Sequence, residues 1–179
     1  MLPRPGEVLH FSEDPHIVTF APHVAPTATE QKPAVWAVDK ANAPSYWFPR
    51  QCPRAMAWRT TTTTADDHQR ILGKHTDRVH MIEYGWLDRL LTVRLFAYRF
   101  DAAEFEPYGD NDEPHAYVAH HTVRPLAPAE PVGNLLDLHA EAEIEFRLSS
   151  SLWPWWDNVI DSSVGFSGIR LRHAVPRVP

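Results

Sequence analysis

Only 7 of the 179 residues are glycine, and cysteine occurs once, at Cys52. A single thiol excludes an internal disulfide and any cysteine-based metal cluster. The scarce glycines form neither GxGxxG nor GxxxxGK[ST], so the common phosphate-cradling loops are missing. No GxSxG elbow is present either, which leaves serine-hydrolase chemistry without support. No apolar run approaches membrane-spanning length, and the opening MLPRPGEV lacks the apolar core of a secretion signal. The formal net charge of −6, with no basic stripe, argues against nucleic acid and against anionic membranes as partners. A cytoplasmic enzyme or binding protein is the expectation.

What the chain has in excess is proline (17), tryptophan (7) and histidine (11). Proline stiffens connections, tryptophan covers large apolar area with one polar handle, and histidine titrates near neutrality. Together they suit an aromatic-lined pocket with proton-transfer groups, or an aromatic core with surface histidines. The length fits one domain over 1–179, with 1–5 and 174–179 as loose tails.

Strands are expected at 7–11, 17–20, 34–38, 55–60, 78–84, 93–100, 116–123, 144–148 and 168–172. Asn42 is placed to cap a short helix carrying Tyr46 and Trp47. Thr64, with Asp66 and Asp67, opens another helix. Trp86, Leu87, Leu90 and Leu91 recur at helical spacing, as do Val132, Leu135, Leu136 and His139 over 132–142. Ser151 is placed to cap a last helix with Pro154 in its first turn. Such a mixture gives an α+β class with mainly antiparallel sheets and short helices.

Candidate chemistry concentrates in four stretches. In EVLHFSEDP, His10 interrupts an apolar strand and is followed by Ser12 and Glu13, suggesting the polar floor and rim of a pocket. In YWFPRQCPR, Arg50 and Arg54 flank Cys52. The arginines form a fork for an oxyanion or pair with acidic loops, while Cys52 reads better as a small buried filler. In HAEAEIEFRL, Glu143 and Glu145 share a strand face with Arg147, either as a general acid–base pair or as a solvated sheet edge. In SLWPWWDNV, Trp153, Trp156 and Ile160 form a core stripe, and Trp155 turns away as a pocket wall. His120 and His121 are adjacent on a strand and point to opposite faces, and no ligand spacing joins the other histidines, so no metal is expected.

The patterns VLHFSEDPHIVTF, VWAVD followed by PSYWFPRQCPR, and SLWPWWD followed by FSGIRLR resemble an uncharacterised family of small bacterial proteins over most of the chain. The order His10, Tyr46, Glu143 or Glu145 is also remotely similar to the ADP-ribosyltransferase superfamily. That resemblance implies an ADP-ribosyltransferase-like fold in which His10 holds a ribose of NAD, Tyr46 stacks on nicotinamide and a late glutamate orients the ribose. Phe11 and Ser12 stand where those enzymes place a small Gly-Thr or Gly-Ser pair.

The leading expectation is a cofactor-independent enzyme for an apolar or amphipathic small molecule, carrying out dehydration, isomerisation or conjugate addition. His10, Tyr46, Glu143 and Glu145 are its catalytic candidates, and Ser12, Arg50, His139 and Trp155 its substrate-binding candidates. NAD-dependent ADP-ribosyl transfer and a non-catalytic binding module are the alternatives.

Overall fold

β1 (Glu7–Ser12) runs antiparallel to β5 (Phe96–Asp101), with Val8 opposite Phe100, His10 opposite Tyr98 and Ser12 opposite Phe96. In the computed structural model, which describes residues 1–24, 32–109 and 114–177, this pair belongs to one of two compact units. The first comprises Met1–Trp47 and Arg94–Gly133, the second Phe48–Val93 and Asn134–Pro179. The class is α+β.

The first unit carries two three-stranded antiparallel sheets. β8 (Glu130–Pro131) extends the β1–β5 pair, and β2 (Val35–Ala37) and β6 (Glu106–Gly109) flank β7 (Pro114–Ala119). Period-two alternation places Val8, Tyr98 and Phe100 in one cluster with Phe20, Val35, Ala37, Phe105, Ala119 and Val123. Residues 17–20 make only a bridge, Phe20 to Val123. The Tyr98 hydroxyl donates to Asp14 O (2.6 Å) and accepts from Ile17 N (3.0 Å), which pins the loop after β1.

The second unit is built on a four-stranded sheet in the order β10 (Gly165–Ile169), β3 (Arg54–Trp58), β4 (Arg78–Glu83), β9 (Glu145–Ser149). β4 and β9 are parallel and the other pairs antiparallel. The short helices α1 (Ala65–Asp67), α2 (Leu87–Thr92), α3 (Leu135–Glu141) and α4 (Trp153–Ile160) belong to this unit. A π-helical turn, His68–Leu72, continues α1.

Several boundaries differ from the expectation for physical reasons. α3 begins after Asn134, whose Oδ1 accepts from Leu136 N (2.9 Å) and Asp137 N (3.3 Å). Val132 is therefore outside the helix and donates instead to Leu95 O. Asn42 caps nothing. Its amide donates to Asp39 and to Pro114 O, and Ala43–Tyr46 forms a 3-10 turn. Thr64 does cap α1, accepting from Asp67 N at 3.2 Å. α4 starts at Trp153, with Ser151 Oγ accepting from Trp153 N at 3.4 Å.

The last strand ends at Ile169, and Leu171–His173 forms a 3-10 turn. Beyond it, Val175 N donates to the buried Glu83 carboxylate, and Arg177 pairs with Asp157 over the Trp153 ring. The segment to Arg177 is thus held at several points, while 178–179 lie outside the described residues. No helix of the described residues is long and apolar enough to cross a membrane.

Candidate functional site

Leu9 and Val38 exchange two backbone hydrogen bonds of 2.8 Å, so β1 has β5 on one side and the end of β2 on the other. One residue on, the half-buried His10 imidazole donates from Nδ1 to Trp36 O at 2.7 Å. A carbonyl oxygen only accepts, so Nδ1 carries the proton and the neutral ring has its lone pair on Nε2. Phe20 meets the ring edge-on at 5.0 Å between centroids, which fixes its plane. His10 and Tyr46 line one cleft of about 70 Å³, together with Phe11, Trp36 and Ala116. The 3-10 turn delivers Tyr46 to this cleft, and Ala43, Pro44 and Ser45 of the same turn are buried.

Each of the other sequence candidates has surroundings of its own. Ser12 is buried, and its Oγ accepts from Asp14 N at 3.1 Å, which closes the turn after β1. Glu143 and Glu145 belong to the second unit. Glu143 lies outside β9 with φ +56°, so it shares no strand face with Glu145. Glu145 is exposed and accepts from Arg147 Nε at 2.6 Å, the solvated-edge arrangement. Arg50 is exposed in the second unit.

Cys52 is fully buried, and desolvation pushes its thiol up to about 12, so it is a filler rather than a nucleophile. Arg54 donates to Cys52 O (3.0 Å) and lies over the Phe48 ring. Trp155 does not turn away from its helix's packed face. Leu152, Trp155, Trp156 and Val159 form the inner stripe, and Ile160 is exposed. Spacing alone allows either stripe. The completely buried Leu152 and Val159 select the one shifted by a residue.

His139 is 1% exposed and belongs to a buried chain that sequence reasoning missed. Its Nδ1–H donates to Leu135 O (2.6 Å), which leaves Nε2 to accept from His80 Nδ1–H (3.0 Å). His80 Nε2 in turn accepts from Arg78 Nε (2.9 Å). Every ring nitrogen is satisfied with both imidazoles neutral. Burial first, and the neighbouring cations second, hold His80 well below its ordinary value, while burial brings His139 down to about 4. Phe48 and Phe146 close over the His139 ring. The available signal was positional: His80 sits among the buried Val79, Met81 and Ile82, and His139 lies on the apolar stripe of α3.

Arg99 is a second group that composition hides. It is 8% exposed and donates to Glu7 (2.8 Å) and Glu130 (2.8 and 3.1 Å) in the first unit. Its hydrogen bonds hold Glu130 below the usual carboxylate range, and they help outweigh the desolvation of Glu7. Among the described residues, no group of three or more His, Cys, Asp or Glu is placed to hold a metal ion.

Neither the curated proteins nor the solved structures contain a match to the chain. A family model does match, over residues 9–174, a span that takes in His10, Tyr46, the His80–His139 pair and all four helices. The chain therefore belongs to DUF6886, a family of unknown function.

Proposed function

We propose that this protein is a cofactor-independent enzyme that moves protons on a small, partly apolar molecule bound in the cleft of the first unit. His10 is the general base, acting through Nε2, and Tyr46 is the hydrogen-bonding partner. The observation that carries this reading is the 2.7 Å hydrogen bond from His10 Nδ1 to Trp36 O. A backbone acceptor on one ring nitrogen orients the imidazole and commits the other nitrogen to accepting a proton, the role the orienting group plays in known acid–base sites. The cleft, at about 70 Å³, favours a compact substrate or the reactive end of a longer one. Dehydration, isomerisation and conjugate addition each need one such base and one hydroxyl donor. Among the sequence candidates, this reading rests on His10 and Tyr46.

ADP-ribosyl transfer with NAD is the competing reading. It needs a late glutamate at the ribose, and Glu145 is instead engaged by Arg147. A non-catalytic binding module is the other competitor.

The test is a panel of small hydroxy acids, enols and unsaturated acids, screened by amide chemical shifts at Trp36 and Ala116 and then for conversion. We expect at least one compound that shifts these amides to be converted, and both His10→Ala and Tyr46→Phe to slow that conversion while remaining folded. Cleft binding without turnover supports the binding module. Turnover retained in folded His10→Ala removes the base. Clear thermal stabilisation by NAD overturns the cofactor-free reading in favour of the transferase.

A further inference from the structure

On a chain with 23 acidic residues and a net charge of −6, one hollow of the second unit is lined by no carboxylate at all. It measures about 420 Å³ and receives Arg59, Lys74, His68, Gln69, Thr63 and Thr64. We infer that this hollow binds a small phosphate-bearing molecule, with Arg59 and Lys74 as the charged anchors and Gln69 as a neutral donor.

Two independent features point there. The first is the lining. The side chains of Lys74 and Gln69 engage in no hydrogen bond or ion pair within the described residues, so their donors are available to a guest. Arg59 meets Asp77 only at 3.7 Å, a loose and exposed pair that an incoming dianion can exchange at little cost. Of the nearby carboxylates, Asp67 is taken up by Ser163 N (2.8 Å), Ser163 Oγ (2.7 Å) and Arg70 (2.6 Å), whereas Asp77 meets the lining residues His68 (2.7 Å) and Arg59 and is the carboxylate a bound anion displaces.

The second feature is the wall. His68 and Gln69 open the π-helical turn His68–Leu72, closed by a bond from Gly73 N to His68 O of 3.0 Å. Such turns are rare and concentrate at functional sites. This one is held from behind: Arg147 donates to Ile71 O (2.8 Å) and Leu72 O (2.6 Å), and Ile71 and Leu72 are buried. Gly73, at φ +97°, then turns the chain to bring Lys74 to the rim. A wall braced in this way does not have to be ordered by its ligand, which favours binding of a compact anion between it and the Arg59 and Lys74 side chains. The volume accommodates a sugar phosphate or a nucleoside monophosphate.

The experiment titrates the full chain with inorganic phosphate, glucose 6-phosphate and citrate at constant ionic strength, following the amide resonances of Gln69, Gly73 and Lys74. Saturable shifts with phosphate and with the sugar phosphate are expected. The exposed double variant Arg59→Gln/Lys74→Gln should weaken both at least tenfold without changing the melting temperature. Absence of saturable shifts, or shifts untouched by the double substitution, overturns the site. A stronger response to citrate than to either phosphate compound overturns the phosphate assignment.

Discussion

His80 Nδ1 lies 3.0 Å from His139 Nε2, and the acceptor beyond each ring dictates which nitrogen holds the proton. Arg78 feeds the chain from β4 and Leu135 O ends it on α3, so one strand and one helix of the second unit are joined by an ordered polar line. Inside a low-dielectric core such a line is stable only while it is fully satisfied.

The pH dependence of stability follows from that requirement. Both imidazoles have folded-state values below the ordinary 6.5, so their contribution is complete above pH 6.5. It is lost as pH falls towards about 4 and beyond. Each contributes a slope of about 1.4 kcal/mol per pH unit in that window. Urea midpoints should hold between pH 7.5 and 6.5 and fall steadily from there to pH 4.5. A curve that stays flat between pH 6.5 and 5 contradicts the neutral pair. The carboxylates of Glu7 and Glu130, lowered from 4.5, add to the loss only at more acidic pH.

Arg78→Met should destabilise by about 1–3 kcal/mol, because His80 Nε2 then loses its donor in a fully buried position. Burial already brings the Arg78 guanidinium down to about 10, so the cation is held at a cost that the methionine avoids. Chemical denaturation measures the net. A variant as stable as the parent would place a different donor on His80.

Of the fold, the strands were the most legible part, because a short apolar run such as RVHMIEY, buried from Val79 to Glu83 in β4, marks a strand covered on both faces. Thr64 was legible as a cap because its hydroxyl acts within three residues. Less legible were features set by distant partners. The inner stripe of α4 depends on which apolar residues meet the sheet, and Trp155 joins it because its indole reaches Ile71 O from 84 residues away. The spacing of HAEAEIEFRL puts Glu143 in β9, whereas a left-handed backbone at that position ends the helix–strand connection. His10 and Tyr46 were placed together by their order alone. His80 and His139 were not, since no spacing announces a pair 59 residues apart.

Arg99→Leu should cost about 2–3 kcal/mol, through two carboxylates left without their shared partner. Adding Glu7→Gln to that variant should recover part of the loss, because one stranded charge is removed. A double-mutant cycle by thermal denaturation reads the coupling. Strictly additive losses would mean that the two carboxylates gain nothing from the guanidinium.

Gly168→Ala should be destabilised by about 1–3 kcal/mol, since a Cβ there would come within 2.6 Å of Leu171 and 2.7 Å of Trp156. Trp156 fluorescence should change together with the melting temperature. The same change at Gly85, where nothing lies within 4 Å, should leave the fluorescence unchanged and the stability within about 0.5 kcal/mol of the parent.

The two units are interleaved along the chain: the first stops at Trp47, resumes at Arg94 and ends at Gly133, and the second fills the gaps. During synthesis, β1 therefore waits for β5, whose pairing residues lie some ninety positions downstream. The central sheet of the second unit waits longer, because β9 and β10 are its last strands to emerge. Native pairing so far apart in sequence slows folding, and a ribosome-bound fragment ending near residue 133 would hold β3 and β4 with neither outer neighbour. Such a fragment carries two strand edges open to pairing with another chain until the last third of the protein has been made.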